Sequence, residues 1–470
     1  MRSWLAVVAL AACGSHATGD GADASKGSDS RTIDTPISID ADLNAPTDVP
    51  VVACTNTMQD IYAATAIVGK PLGAILACMP DVVLDQADVQ SAIGSGVTAT
   101  TSVAQFLIAY QTRDSNGQPA VSTARVYLPH TPRSRPVPLA VAAHGTEGLA
   151  DMCAPSMAAD NSLPMPFAAR GMAAIAPDDA GLGNAGTQDY LDSHAQGYQL
   201  LDAARALRAL LSPGITAEQV ILSGYSQGGG AVLSAQALAN GDGPGVGTIV
   251  ATVPYAPEWP ISMATFDYLG MLDDPTQLTI TTGLSYSSVA VLREYAFFEN
   301  HVGVGHGKDA VPAQFQGTID GAVNGNCLVA FGAYVQLEML HTGDLIDNTL
   351  RTGVLACVAA LGPDAGCEGN AAAYYNALVN EPLTPDPTAG PVLLVQGNGD
   401  LIMPPAQNAS CIHDKLASAG VNVSACVFAG SDHTTIMAQH GTGETWSEAM
   451  LDGQAAPACP ETTQLPACSN

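Results

Sequence analysis

The sequence predicts an α/β fold: a mostly parallel central sheet flanked by helices, with a mainly helical cap inserted late in the chain. Three observations predict it. Short apolar, β-rich runs alternate with helical patterns from about residue 105 onward. A Gly-rich turn, Gly224-Tyr225-Ser226-Gln227-Gly228, separates one such run from a helical one. Finally, a long stretch from roughly Glu258 to Pro387 interrupts the alternation between two core strands. Alternation of this kind is how a chain builds a sheet covered on both faces.

Taken in order, the chain starts with Met1-Arg2-Ser3-Trp4, the apolar run Leu5 to Ala12, and then Cys13. This is the layout of a secretory signal, and the run is too short to span a bilayer. Small residues before Cys13 match a bacterial lipobox, so residues 1–13 are expected to be a lipoprotein signal with Cys13 as the lipidated residue. Residues 14–50 carry seven Asp against Lys26 and Arg31 and no apolar period. They read as a solvated acidic tether that would let a folded domain stand off a membrane.

The predicted core covers residues 51–257 and 388–455. Its expected strands include 106–110, 124–128, 137–143, 172–176, 219–222, 248–253, 391–395 and 423–428. Continuous apolar runs of this length suit strands buried on both faces. The clearest helix runs from Ser193 to Leu211, where Ser193 and Gln196 have capping-box spacing and Leu200, Leu201, Ala204, Leu207 and Leu211 share a face. Residues 258–387 are the expected cap, placed beside the carboxyl ends of the strands, where such sheets bind ligands. Residues 456–470 read as a C-terminal tail.

Composition narrows the function. With 470 residues, 47% hydrophobic and 13% charged, the chain can bury a large core. Its net charge of −29 and four lysines exclude a nucleic-acid groove and disfavour polyanionic substrates, so a neutral substrate is expected. Leaving Cys13 aside, ten of the eleven cysteines form an even set suited to five disulfides in an oxidising compartment. Short separations suggest Cys411 with Cys426 and Cys459 with Cys468. No CxxC pair is present, which argues against zinc.

The chemistry rests on the turn around Ser226. A strand that bends sharply into a helix strains its central residue and leaves no room for side chains two positions either side, hence Gly224 and Gly228. This is the nucleophile elbow of the α/β-hydrolase fold. A serine hydroxyl needs a base, and the base an orienting carboxylate, in the chain order Ser, acid, His. Val392 to Asp400 reads as a strand ending in a Gly-rich turn that delivers Asp400. Pro404-Pro405 then suits a helix start. After the next helix and strand, Ala429 to Thr435 places His433 in the final loop. Of ten histidines, His433 alone combines the order with the position. Asp432 is the alternative acid, but neighbouring side chains point apart. The oxyanion donors are expected to be the N–H of Gln227, at the start of the helix, and that of Thr146 or Gly145 in the turn after strand 137–143. His144 reads as a packing residue of that turn.

Together, these residues resemble the secreted lipases of the Candida antarctica lipase A type. The likeness lies in His144-Gly145-Thr146, Asp151 to Ser156, Ala176 to Gly183, and Gly224 to Gly229, over roughly residues 55–450. It implies ester hydrolysis on acylglycerols or similar neutral lipids, a helical cap over an acyl tunnel, and no metal or organic cofactor. The chain departs at Asp178-Asp179-Ala180-Gly181-Leu182-Gly183, where the family usually reads Asp-Tyr-Glu-Gly. The expected function is therefore a serine carboxylic-ester hydrolase. A serine peptidase or acyltransferase on the same fold is one alternative, and a lipid-anchored binding protein without chemistry is another.

Overall fold

In the computed structural model, residues 49–158, 162–259, 284–339, 341–360, 367–460 and 462–469 are described. The expected signal, lipidation site Cys13 and all but the end of the tether lie outside them. Val49 is buried, and Val51 bridges Leu211.

Among the described residues, ten strands form one sheet: β1 (Ile75–Leu84), β2 (Val103–Arg113), β3 (Pro119–Pro129), β4 (Val137–Ala143), β5 (Ala173–Ala180), β6 (Thr216–Tyr225), β7 (Thr248–Tyr255), β8 (Val392–Gly397), β9 (Val423–Phe428) and β10 (Thr462–Thr463). Their order is β1-β2-β3-β5-β4-β6-β7-β8-β9-β10. The stretch from β5 to β9 is parallel throughout, whereas β1, β2 and β3 form an antiparallel meander on one side and β10 pairs antiparallel with β9 on the other. The expected strands all appear. Two further strands, β1 and β10, were not expected. β1 is partly exposed and broken by a register shift after Pro80, so its apolar pattern is too irregular to read as a strand. β10 is two residues of the segment read as a tail.

The parallel strands alternate their side chains between two helical layers. Leu139, Val141, Val220 and Leu222 face α1 (Ser193–Leu210) and α2 (Gln227–Leu238), where Leu200, Leu207, Val232 and Ala235 complete one core. Ala140, Ala142, Ile221 and Ala251 face the helix Pro164–Ala169 and Trp446 of a C-terminal helix on the other side. Burial of each large aliphatic side chain contributes about 1.5–3 kcal/mol, and this double coverage explains why the strands read as unbroken apolar runs. α1 begins one residue earlier than the Ser193 cap implied: Asp192 is the N-cap, accepting from Ala195 N at 2.8 Å, and Ser193 is already helical.

The described part of the insertion between β7 and β8 is mainly helical, with α3 (Leu284–Phe297), α4 (Leu328–Glu338), α5 (Asn348–Ala360) and α6 (Gly369–Asn380). It packs Val291, Tyr295 and Phe331 against Leu149, Tyr190 and Leu191, which follow the carboxyl ends of β4 and β5. Polar ties fix the contact: Leu328 N donates to Glu147 O at 2.7 Å, and Asn300 Nδ2 to Asp189 Oδ1 at 2.9 Å. Arg293 pairs with Glu381, whose carboxyl is pushed up to about 8 by burial despite that guanidinium.

Among the described residues, five disulfides are present: Cys54–Cys78, Cys153–Cys327, Cys357–Cys367, Cys411–Cys468 and Cys426–Cys459. They fit an extracellular protein. The two local pairs expected from separation are corrected. The residues after the last helix return along β9, with Thr462 opposite Phe428, so Cys459 lies beside Cys426. The chain end then reaches Ala406, whose carbonyl accepts from Ser469 N at 2.9 Å, and Cys468 meets Cys411. Cys153–Cys327 ties the cap to the loop after β4 across 174 residues of sequence. Among the described residues, no helix is long and apolar enough to cross a membrane.

Candidate active site

Ser226 is the single residue between β6 and α2, with φ 52° and ψ −113°. A non-glycine residue in this region costs on the order of 1–3 kcal/mol and persists only where the surroundings impose it. Here they do: Ser226 N donates to Tyr255 O at 2.9 Å, and Ser226 O accepts from Gly230 N and Glu258 N at 3.1 and 3.0 Å. The two glycines of the turn are required by close approach. A Cβ on Gly224 would lie 2.1 Å from Gly228 O, and one on Gly228 would lie 2.2 Å from Ala143 O.

The structure brings Ser226, His433 and Asp400 into one hydrogen-bonded chain. His433 Nε2 lies 2.9 Å from Ser226 Oγ, and His433 Nδ1 lies 2.8 Å from Asp400 Oδ2. Since the carboxylate only accepts, the ring proton sits on Nδ1, and Nε2 is left to accept from the serine hydroxyl. Asp400 is 2% exposed and His433 7%. The carboxylate is held by three further donors: Gln396 Nε2 to Oδ2 at 2.9 Å, and Ile402 N and Met403 N to Oδ1 at 2.9 and 2.7 Å. The segment after Asp400 makes a turn on the Pro404 and Pro405 carbonyls, and α7 (Ala409–Ser418) starts later than Pro404-Pro405 suggested.

Asp432, the alternative acid, is exposed and spends its carboxylate on the loop that carries His433. It accepts from Thr435 N at 2.8 Å and from Thr434 N at 3.0 Å, bonds that hold it below the usual carboxylate range. Two residues that sequence reasoning missed steady the histidine. Tyr225 donates its hydroxyl to His433 O at 3.0 Å and lays its ring 5.3 Å from the imidazole. Gln396 anchors Asp400. A polar residue at the end of the otherwise apolar run Val392 to Val395 was the available signal for it.

β4 and β6 are parallel neighbours with Ala143 opposite Gly224, which sets the turn His144-Gly145-Thr146 alongside Tyr225-Ser226-Gln227. The Gln227 N–H is the first of α2 and has no carbonyl within the helix to bond. Thr146 Oγ1 is 2.7 Å from the Tyr190 hydroxyl, which links this turn to the loop beneath the cap. Tyr190 also lines a cavity of about 260 Å³ bounded by Leu191, Arg293, Phe297, Tyr374 and Glu381; neither Ser226 nor His433 lines it. Among the described residues, no group of three or more His, Cys, Asp or Glu is placed to hold a metal ion.

No family model and no curated protein sequence matches the chain. Solved structures do. The rice cell wall degrading esterase LipA from Xanthomonas oryzae superposes with a TM-score of 0.63 at 19% identity, over 82% of this chain and 100% of that one. The closed state of Candida antarctica lipase A superposes with a TM-score of 0.63 at 19% identity, over 89% of this chain and 91% of that one. The fold is that of the α/β-hydrolases. Within it, Asp178 and Asp179, where the chain departs from the secretory-lipase pattern, are both buried. Asp178 accepts from Thr123 Oγ1 at 2.6 Å and Ser156 N at 2.7 Å, and burial raises its carboxyl to about 6. Asp179 has a left-handed φ of 68° and accepts from the side-chain amides of Gln188 and Gln196.

Proposed function

We propose that the chain is a serine carboxylic-ester hydrolase acting on neutral acyl esters such as acylglycerols. The hydrogen-bonded chain from Ser226 Oγ through His433 to Asp400 carries this reading. His433 Nε2 takes the Ser226 proton as Oγ attacks the ester carbonyl carbon. The N–H groups of Gln227 and Thr146 hold the developing oxyanion, with Gly145 supplying the close turn that aims the second donor. The imidazolium, stabilised by Asp400, then protonates the departing alcohol and leaves an acyl group on Ser226. Water, deprotonated by the same Nε2, attacks that ester, and the acid leaves as Oγ recovers its proton.

Neutral substrates suit a protein of net charge −29, which repels polyanions. Lipidation at Cys13 would hold the enzyme at a cell-envelope membrane, close to such substrates. Rates on p-nitrophenyl esters of acyl length C2 to C16, set against an aminoacyl p-nitroanilide, test the assignment. Turnover of esters with no measurable anilide cleavage is expected, and the acyl-length optimum then separates a short-chain esterase from a lipase. Anilide cleavage as fast as ester cleavage would instead favour a serine peptidase.

A further inference from the structure

His144 is the second buried histidine beside Ser226, and the triad leaves it unused. The residue is 8% exposed, and each ring nitrogen faces groups that can only accept. Nδ1 lies 2.6 Å from Gly145 O; Nε2 lies 3.4 Å from Asp178 O and 3.9 Å from Asp179 Oδ2. A neutral imidazole would leave one nitrogen lone pair against an acceptor, whereas an imidazolium satisfies both. Asp179 is fixed in place for this role. The oxygen nearest the ring, Oδ2, is held by Gln188 Nε2 at 3.1 Å and Gln196 Nε2 at 3.2 Å.

The carbonyl that accepts from Nδ1 has a further consequence. Gly145 C=O and Thr146 N–H belong to one peptide unit. A charged donor on the oxygen withdraws density from the nitrogen and makes its N–H a stronger donor, since linked hydrogen bonds polarise one another. We infer that His144 is a positioning residue: held as an imidazolium by Asp179, it orients and polarises the Gly145–Thr146 peptide so that Thr146 N–H meets the developing oxyanion. This rests on the reading of Ser226 as nucleophile and Thr146 N–H as oxyanion donor.

The charged groups acting on the ring are Asp179 and Asp178 at the end of β5 and Glu147 in its own turn, all acidic. Burial opposes protonation of His144, but these carboxylates and the hydrogen bond to Gly145 O together outweigh it and leave the group above its ordinary value. A raised histidine is charged below its folded pKa and loses the charge as pH rises through it. The contribution to kcat is therefore present below that raised pKa and fades as pH climbs through it.

The test uses the full chain with ¹⁵N-labelled histidine. The His144 ring is assigned in wild type by through-bond correlation to its own backbone, and wild type is titrated by NMR while kcat and KM for a p-nitrophenyl ester are followed over the same pH range. Both ring nitrogens should carry protons at pH 7.5, and kcat should fall with His144 deprotonation while KM stays constant. In Asp179→Asn that deprotonation should move down by about one pH unit or more, and kcat at pH 7.5 should fall about tenfold. His144→Asn, which can still donate to Gly145 O, should retain more activity than His144→Leu. A neutral His144 at pH 7.5 in active wild type overturns the inference, as does a kcat unmoved by its titration; both need only wild type, should the variants fail to fold. Wild type without ester turnover would sink the functional reading instead, while the NMR titration would still report the charge of His144.

Discussion

Ser226→Ala is expected to lower kcat for p-nitrophenyl ester hydrolysis by about 10⁴- to 10⁶-fold, with little change in KM. The magnitude follows from what the substitution removes. Without Oγ no acyl-enzyme forms, and His433 is left beside a methyl group, able only to assist direct attack by water. The oxyanion donors and the substrate pocket remain, so a residue of activity over the uncatalysed reaction persists. The fold should hardly notice. Alanine meets the same cost at φ 52° as serine does, because both carry a Cβ. The backbone bonds to Tyr255 O, Gly230 N and Glu258 N that impose this conformation are untouched. Only the hydroxyl's bond to His433 is lost, worth on the order of 1 kcal/mol net. Thermal unfolding of the variant separates the loss of chemistry from any loss of structure.

Asp400→Asn is expected to fold and to lose about 10⁴-fold in kcat. The backbone decides how the new amide sits. Ile402 N and Met403 N both donate to Oδ1, so the asparagine oxygen must take that place. Its NH₂ then occupies the Oδ2 position, 2.8 Å from His433 Nδ1. There it can only donate, which forces the ring proton from Nδ1 to Nε2. A proton on Nε2 faces Ser226 Oγ and blocks the transfer on which attack depends. Gln396 must turn its amide over so that Oε1, which is buried without a hydrogen-bond partner, accepts from the new NH₂, and in doing so it gives up the Nε2 bond to Met403 O at 3.2 Å. Kinetics on a variant shown by its cooperative melting to be folded would check this, and near-wild-type kcat would show that Asp400 does not set the tautomer of His433.

Much of the fold was legible because the parallel strands are covered on both sides. Val137 to Ala143 and Val392 to Val395 are apolar at every position for that reason. β1 escaped because Pro80 and Asp81 interrupt an exposed edge, where nothing requires a continuous apolar run. The ten cysteines were countable, but not their partners. Which cysteine meets which depends on the chain end doubling back along β9, a long-range event that local separation does not encode.

The candidate site divides along the same line. Ser226 is marked by local sterics, and Asp400 and His433 by their order after consecutive strands, so their convergence could be anticipated. Tyr225 and Gln396 act through contacts that exist only after folding, Tyr225 on the loop of His433 and Gln396 on the carboxylate. His144 was legible as a member of its turn. Its two acceptor-facing nitrogens, and the Asp179 that sits opposite, emerge only in three dimensions.

The claim on which the rest depends is that Ser226 is an activated nucleophile. A fluorophosphonate probe tests it most directly, since such reagents phosphonylate a serine only when a neighbouring base draws off its proton. Incubation of the wild-type chain, followed by digestion and peptide mass mapping, should give one adduct per chain, on the peptide that contains Ser226, and none in Ser226→Ala. An unlabelled wild-type chain, or an adduct on a serine other than Ser226, would contradict the account.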